Sequence, residues 1–327
     1  MSRWVAYALG ILMGATSAWA DGIEWNVHPD FKNEEAALEI SGGVCGGEDG
    51  QRKWCFAVND EKKYIQTFSI DEPTLKPGKR LRILEKRDGT GEKYAEPDAE
   101  GAAYHDGFIY VTGSHGAPRN GDAPQDSRFF VFRMPVDRQT GEPAFEVTRE
   151  AVDPKIERTD ELRPIIKTAD GLSAHAEQAL SNNGANIEGI AAMGDSLYFG
   201  FRAPTGPNGA VVLQVAIDRL FGTSETQATS HALDLGVGYG IRDMTRLGNR
   251  FLLLAGAASR DELVPVVWSW VPGQAPELIK ALSVAEGRKA EGLMVLDASD
   301  QKKVRVLVLF DSRKNGEPTE FTLQLKR

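Results

Sequence analysis

Residues 186–192, Asn-Ile-Glu-Gly-Ile-Ala-Ala, followed at residues 197–202 by Leu-Tyr-Phe-Gly-Phe-Arg, decide how this chain folds. Their order is an acidic residue, a glycine, a short apolar run, a turn at Gly194 and Asp195, and an alternating strand. Alternation over so few residues is typical of β-strands rather than helices. The stretch therefore predicts short strands joined by a tight turn.

The same order recurs along the chain. It opens again at Glu100 and at Glu291, each followed directly by a glycine, and weaker copies begin at Ile241 and at Ser41. A short unit that repeats in this way indicates an array of small sheets, because each unit is too small to bury a core by itself.

Five units of three or four strands favour an all-β fold, a single β-propeller with five blades. A β-sandwich is less suitable, because it gives no reason for the same acidic-Gly opening in every unit. Residues 135–185 form a longer interval, in which we expect a strand at residues 144–148 and one inserted helix at residues 158–169. If that interval hides a further sheet instead, the propeller has six blades.

The N-terminus has the features of a secretory signal peptide over residues 1–20. Arg3 precedes an apolar run, and Ala18-Trp19-Ala20 forms a small-x-small cleavage site. The propeller domain is thus expected over residues 21–327, in a soluble protein that is periplasmic or secreted. Residues 21–33 are polar and irregular, and they could supply a closing strand for the last sheet.

The charge of the chain bears on its partners. Lys and Arg number 38 against 47 Asp and Glu, a formal charge of −9, and removal of Arg3 leaves 37 against 47, or −10. This sign disfavours binding to nucleic acid or to anionic lipid. We expect a small-molecule ligand or substrate, no membrane insertion, and a monomer.

The chain has two cysteines, Cys45 and Cys55, at equal distances from Gly50. A hairpin that turns near Gly50 places them side by side, and an oxidising compartment would let a disulfide persist. A structural disulfide is therefore predicted. A redox-active pair is the alternative, although the spacing is not Cys-x-x-Cys.

Aligning the units on the position before the glycine gives one residue per blade, which we call the channel ring. In a propeller the first strand of each blade runs along the central channel, so these residues gather at one mouth. Two further oxygen donors, Asp98 and Asn186, precede their glutamates by two positions and are expected on the same strand face. The channel ring consists of Ser41, Glu100, Glu188, Arg242 and Glu291.

Three carboxylates in one ring repel one another, so something must offset their charge. A calcium ion is one candidate, because Ca²⁺ takes six to eight oxygen ligands in irregular geometry; its expected ligands are Asp98, Glu100, Asn186, Glu188 and Glu291. Arg242 is another candidate. The glutamates could also clamp neighbouring blades through backbone hydrogen bonds, or act directly as acid or base.

Loops beside the channel carry further candidates for a site. His115 could act as a general base or bind an anion, and it could equally be a satisfied loop histidine. Ser114 is a weaker candidate nucleophile, since adjacency to a histidine does not make a dyad. Arg202 could bind a carboxylate or phosphate group of a ligand, or form a salt bridge to the ring glutamates.

Taken together, these motifs resemble a bacterial family known as domain of unknown function 3616. The resemblance covers nearly all of the chain after residue 20. It rests on residues 98–101, 113–115, 186–189, 200–204, 234–236 with 240–243, and 291–292. The family has no assigned activity. The acidic-Gly openings also look like those of esterase-like phytase domains and calcium-dependent lactonase propellers, which is an analogy at the level of the fold.

Two functions follow as expectations. The first is a calcium-dependent hydrolase of small ester or phosphoester substrates, in which the glutamates organise the ion and Arg202, Arg242 or Ser114 contacts the ligand, with Glu188 or His115 acting in catalysis. The alternative is a non-catalytic propeller of the cell envelope that binds a ligand or a partner.

Overall fold

The computed structural model describes residues 22–31, 39–48, 54–117, 125–207, 209–259, 263–300 and 302–326. These residues form five sheets, four with four strands and one with five. The innermost strands of consecutive sheets contact one another, and the innermost strand of the last sheet contacts that of the first. The predicted five-bladed β-propeller is confirmed, and the described residues contain no sixth sheet. The predicted signal peptide lies outside the described residues.

Two short strands begin the described chain and belong to different blades. They are β1 (Ile23–Glu24) and β2 (Asn26–Val27). Blade 1 then contains β3 (Ile40–Cys45), β4 (Cys55–Asn59), β5 (Tyr64–Asp71) and β6 (Thr74–Arg82), and blade 2 contains β7 (Ala99–His105), β8 (Phe108–Gly113), β9 (Val131–Pro135) and β10 (Glu157–Thr159).

The remaining blades follow in chain order, each with its innermost strand first. Blade 3 contains β11 (Asn186–Met193), β12 (Ser196–Ala203), β13 (Gly209–Ala216) and β14 (Thr229–Asp234). Blade 4 contains β15 (Tyr239–Leu247), β16 (Arg250–Ala257), β17 (Val266–Trp270) and β18 (Glu277–Ala281). Blade 5 contains β19 (Lys289–Asp300), β20 (Lys303–Asp311) and β21 (Thr319–Gln324).

The N-terminal segment closes the circle of blades. Strand β1 pairs antiparallel with β21 of blade 5, and β2 pairs parallel with β6 of blade 1. Between them, the buried Trp25 donates its indole N–H to Glu320 Oε2 at 3.1 Å. The predicted closing strand is therefore present, and the same segment also extends the first blade.

Residues 135–185 differ in detail from the prediction. The inserted helix α1 is shorter, Leu162–Ile166, and its buried side chains pack between blades 2 and 3. The strand expected at residues 144–148 is wrong, because Glu157–Thr159 pairs with β9 as the outer strand of blade 2. A second helix, α2 (Ile217–Phe221), was not expected. Short 3-10 helices occur at Asp126–Phe129, Ser173–His175, Leu180–Asn182 and Lys314–Gly316.

The core consists of five apolar clusters, and each lies between two neighbouring blades. Leu213 of blade 3 packs in one cluster with Tyr110 of blade 2, for example, and Leu307 of blade 5 packs in another with Phe68 of blade 1. Burial of apolar surface between sheets is what holds the blades together.

The predicted disulfide is present between Cys45 and Cys55. These residues face each other on β3 and β4, so the bond staples the inner hairpin of blade 1. No helix within the described ranges has both the length and the apolar character needed to span a bilayer.

Candidate functional site

Each inner strand carries a β-bulge at the same place, and the bulged residue is the member of the channel ring. The pairing of β7 with β8, for example, passes from Ala99 directly to Gly101 and leaves Glu100 unpaired in the ladder. A bulge turns a side chain out of the regular alternation. The other blades skip Ser41, Glu188, Arg242 and Glu291 in the same way.

In blades 1, 2 and 3 the glycine after the bulge makes room for the next blade. A Cβ at Gly42 would lie 3.0 Å from the carbonyl oxygen of Glu100, and a Cβ at Gly101 would lie 3.0 Å from that of Glu188. The inner strands thus approach more closely than a side chain would permit. The acidic-Gly motif therefore combines a side chain that enters the channel with a backbone contact between blades.

Blade 4 has Asp243 at the glycine position. Its carboxylate is buried and accepts the backbone N–H groups of Met244 and, in blade 5, of Leu293, both at 2.7 Å. This carboxylate replaces the close backbone contact with a hydrogen bond between blades. It is one form of the blade clamp that the sequence left open, although the residue that provides it is the aspartate and not a ring glutamate.

Ion pairs join three blades across the channel. Glu188 Oε1 accepts from Arg202 Nη1 at 2.8 Å, and Glu188 Oε2 lies 2.9 Å from Arg242 Nε. Arg242 Nη2 also contacts Glu291 Oε1. The side chains of Glu188 and Arg242 are only 6% and 5% exposed. This buried chain satisfies both carboxylates, so Arg202 and Arg242 bind ring glutamates in this structure.

A second residue in each blade lies beside the ring, at the end of the second strand. In each blade, the residue before the bulge pairs with a residue of the second strand. The position meant here is the next residue along that second strand. Arg202 is the member in blade 3, and Gly256 in blade 4 leaves space for the side chain of Arg242, whose Cγ would be 3.2 Å from a Cβ there. The five equivalent positions are Asp60, Ser114, Arg202, Gly256 and Asp311.

Carboxyl groups outnumber guanidinium groups on the side of blades 1 and 2. Burial raises the pKa of Asp60 to about 8, helped by the charge of Asp98. Burial likewise raises the pKa of Glu100 well above its usual range, with further contributions from Asp98, Glu188 and Asp60. Asp98 lies 3.4 Å from Arg128. On this side of the mouth, burial therefore favours the protonated form of these carboxyl groups.

His115 and Ser114 are fully buried beside blade 3. Burial, with the nearby charge of Arg163, lowers the pKa of His115 to about 3, so its imidazole is neutral. Among the described residues neither of its ring nitrogens has a hydrogen-bond partner. Ser114 Oγ accepts the N–H of Gly116 at 3.2 Å. The contacts of His115 are with Arg163, Arg128 and Phe129 rather than with the ring glutamates.

Asp98 and Asn186 do not simply share the strand face of their glutamates. Asp98 precedes β7 with a φ of 50°, and two register shifts separate Asn186 from Gly189. The side-chain nitrogen of Asn186 lies against Gly116, and its oxygen has no partner within the described ranges. The bulges explain the difference, because they interrupt the period of two on which the expectation rested.

Calcium fits this arrangement poorly. Across the described parts of the chain, no three His, Cys, Asp or Glu side chains form a group that could hold a metal ion. The oxygens of Glu188 and Glu291 face guanidinium groups, so an ion would have to displace Arg242 to reach them. A calcium requirement stays a prediction from the sequence.

Sequence reasoning missed Asp60, Asp311 and Arg128 as members of the charged mouth, and Asp243 as a clamp between blades 4 and 5. A signal for the first two exists, because they occupy the position of Arg202 in their own blades. Asp243 stands where the other repeats have a glycine. This departure from the repeat is a signal that the residue makes a different contact with the next blade. Arg128 belongs to a connecting segment and has no counterpart in the repeats.

Fold and site together define a five-bladed β-propeller with a bulge in every inner strand and a charged mouth formed by the bulged residues. The family model described as "Protein of unknown function (DUF3616)" matches residues 47–320. The chain belongs to this family, as the sequence motifs predicted. Comparison with curated proteins gives no match.

Solved structures with a similar fold include glycoside hydrolases. The exo-β-1,3-galactanase of Phanerochaete chrysosporium has a TM-score of 0.50 at 8% identity, over 94% of this chain and 64% of the galactanase. A family 43 β-1,3-galactosidase gives 0.49 at 9% identity, over 93% and 59% of the two chains. A family 117 glycoside hydrolase of Zobellia galactanivorans gives 0.45 at 10% identity, over 92% and 88%. This chain thus spans less than two thirds of the first two, and at these identities the similarity shows the fold alone.

Proposed function

We propose that this protein is a periplasmic or secreted hydrolase of small, uncharged ester substrates, acting as a monomer. The observation that carries the proposal is the contrast between two ring carboxyls. Glu188 is held by two guanidinium groups, whereas burial, together with neighbouring carboxyl groups, raises the pKa of Glu100. A pair of carboxyls in opposite environments is a common arrangement for acid–base catalysis.

In this proposal Glu100 donates a proton to the oxygen of the leaving group. Asp98, beside Arg128, accepts a proton from the attacking water. Glu188 positions Arg202 and Arg242 and does not touch the substrate. His115 takes no part, because its imidazole is fully buried and its pKa, lowered to about 3, makes it a weak base.

Charge decides between the two substrate classes expected from the sequence. Each guanidinium at the mouth already contacts a carboxylate, and the charge of Asp311 acts on Arg202 and Arg242 as well. A phosphoester would add negative charge to a site that already has an excess of it. Neutral esters are therefore favoured over phosphoesters.

Turnover of an ester panel by the wild type and two variants tests the proposal. We expect Glu100→Gln to stay folded and to lose roughly 10²- to 10⁴-fold in kcat. Glu225→Gln, at an exposed position outside the mouth, is the matched control and should keep full activity. A wild type that hydrolyses none of the esters, or a Glu100→Gln variant that retains full kcat, would contradict the proposal.

The second candidate is a non-catalytic propeller that binds a ligand or a partner. It is favoured by the buried ion pairs that link Arg202, Glu188, Arg242 and Glu291. Each of these charges has a partner of opposite sign, so the ion pairs can serve purely to hold blades 3, 4 and 5 in place. This candidate predicts no turnover by any form of the protein. It also predicts that Glu100→Gln leaves ligand affinity nearly unchanged.

A further inference from the structure

The channel contains a second feature, at the mouth opposite the charged one. The inner strands run from the channel ring toward this far mouth, where residues that follow the ring in each strand surround a cavity of about 390 Å³. That volume is within the range of small-molecule sites, roughly 300 to 1,000 Å³. None of the proposed chemistry at the charged mouth uses this cavity.

The deep part of the cavity is apolar. Met244, Met294 and Ile190 are buried there, and Ala102 and Gly43 complete the wall. Methionine side chains adapt to ligands of irregular shape, and the small residues keep the space open. This part suits an aliphatic group and offers no charged partner.

The rim is polar and carries two opposite charges on different blades. Glu48 lies on blade 1 and Arg246 on blade 4, and both are exposed. Within the described part of the chain neither forms an ion pair. Backbone and side-chain bonds hold them in place, since Glu48 N–H donates to Arg138 O at 2.9 Å and Arg246 Nε donates to Gly248 O at 2.9 Å.

Blades 1 and 4 are not neighbours, so the cavity separates these two charges. A ligand with an amine at one end and a carboxylate at the other could contact both while its apolar part fills the deep wall. Because such a molecule has no net charge, the acidic character of the protein would not repel it. We propose that the far mouth binds a small zwitterion with an aliphatic body, of the size of a dipeptide.

Isothermal titration with three related ligands tests this site. Leu-Leu carries both end charges, N-acetyl-Leu-Leu lacks the amine, and Leu-Leu amide lacks the carboxylate. We expect Leu-Leu to bind most tightly, and we expect Arg246→Gln and Glu48→Gln each to weaken it roughly two- to fivefold, as exposed ion pairs allow. Arg246→Gln should also abolish the preference for a free carboxylate, and Glu48→Gln should abolish the preference for a free amine.

A variant that fills the cavity supplies the second arm. Thr245→Trp, on the cavity wall, should abolish binding, whereas Thr229→Trp, on the exposed outer strand of blade 3, should not. If Thr245→Trp fails to fold, the two rim variants decide by themselves. Equal affinity for all three ligands, no binding in the wild type, or full binding by a folded Thr245→Trp variant would overturn the proposal. Ester turnover at the opposite mouth is a separate readout.

Discussion

Replacing Asp60 by asparagine tests the electrostatics of the charged mouth. The change keeps the size of the side chain and removes its titration. In the folded protein the pKa of Asp60 is raised from 3.8 to about 8, chiefly by burial. The folded state therefore binds the proton more tightly than the unfolded chain. The resulting stability is fully present below about pH 4 and is lost as the pH rises through about 8.

The size of the effect follows from that pKa. Each tenfold change in proton affinity corresponds to about 1.4 kcal/mol, so a pKa of about 8 in place of 3.8 sets a ceiling of about 6 kcal/mol. Asp60 retains partial exposure, and water in the channel makes the realised value smaller than this ceiling. The variant should thus gain stability relative to the wild type progressively between about pH 4 and pH 8.

Urea denaturation across this pH range, in the presence of chelator, provides the measurement. Asp170→Asn, at an exposed position, is the control for the removal of one carboxyl group. The reasoning would be refuted if the difference in the free energy of unfolding between Asp60→Asn and the wild type stayed constant from pH 5 to pH 9. A constant difference would mean that Asp60 titrates alike in the folded and unfolded chain.

Three further outcomes follow from the structure. Arg242→Met should lower the free energy of unfolding by about 3 to 5 kcal/mol, because it leaves Glu188 and Glu291 buried without this partner; urea melts check this, and a loss below 1 kcal/mol would contradict it. Replacing Cys45 and Cys55 by serine should cost about 3 kcal/mol, from the entropy of the short loop they close, with the reduced wild type as comparison. Added calcium should leave the melting temperature nearly unchanged, given the arginines on the ring carboxylates; a rise of several degrees would restore the predicted metal site.

The repeats were sufficient to predict the propeller and the positions of the channel ring. Glu100, Glu188 and Glu291 recur before a glycine, and this spacing has one structural cause in all three blades, the bulge. The pairing of these residues could not be read from the repeats. Which glutamate meets Arg242 depends on how side chains from separate blades converge, and no local pattern encodes that convergence.

Residues 144–148 show where alternation misleads. Phe145 and Val147 alternate with polar residues as a strand would, and both pack against the cluster between blades 1 and 2. They do so from an irregular segment, because the edge of β9 is occupied by Glu157–Thr159. Apolar alternation indicates which side chains are buried, and only the availability of a partner strand decides whether they join a sheet.

The central claim is that the pKa of Glu100 is raised well above its usual value, whereas Glu188 is held by arginines. A ¹³C NMR titration of the glutamate side-chain carboxyls, with Glu100→Gln used to assign the signal, tests it directly. We predict that the Glu100 signal titrates well above the usual glutamate pKa of 4.5. A Glu100 signal that titrates at or below 4.5 would contradict the claim, because the carboxyl would then be ionised at neutral pH and could not donate a proton.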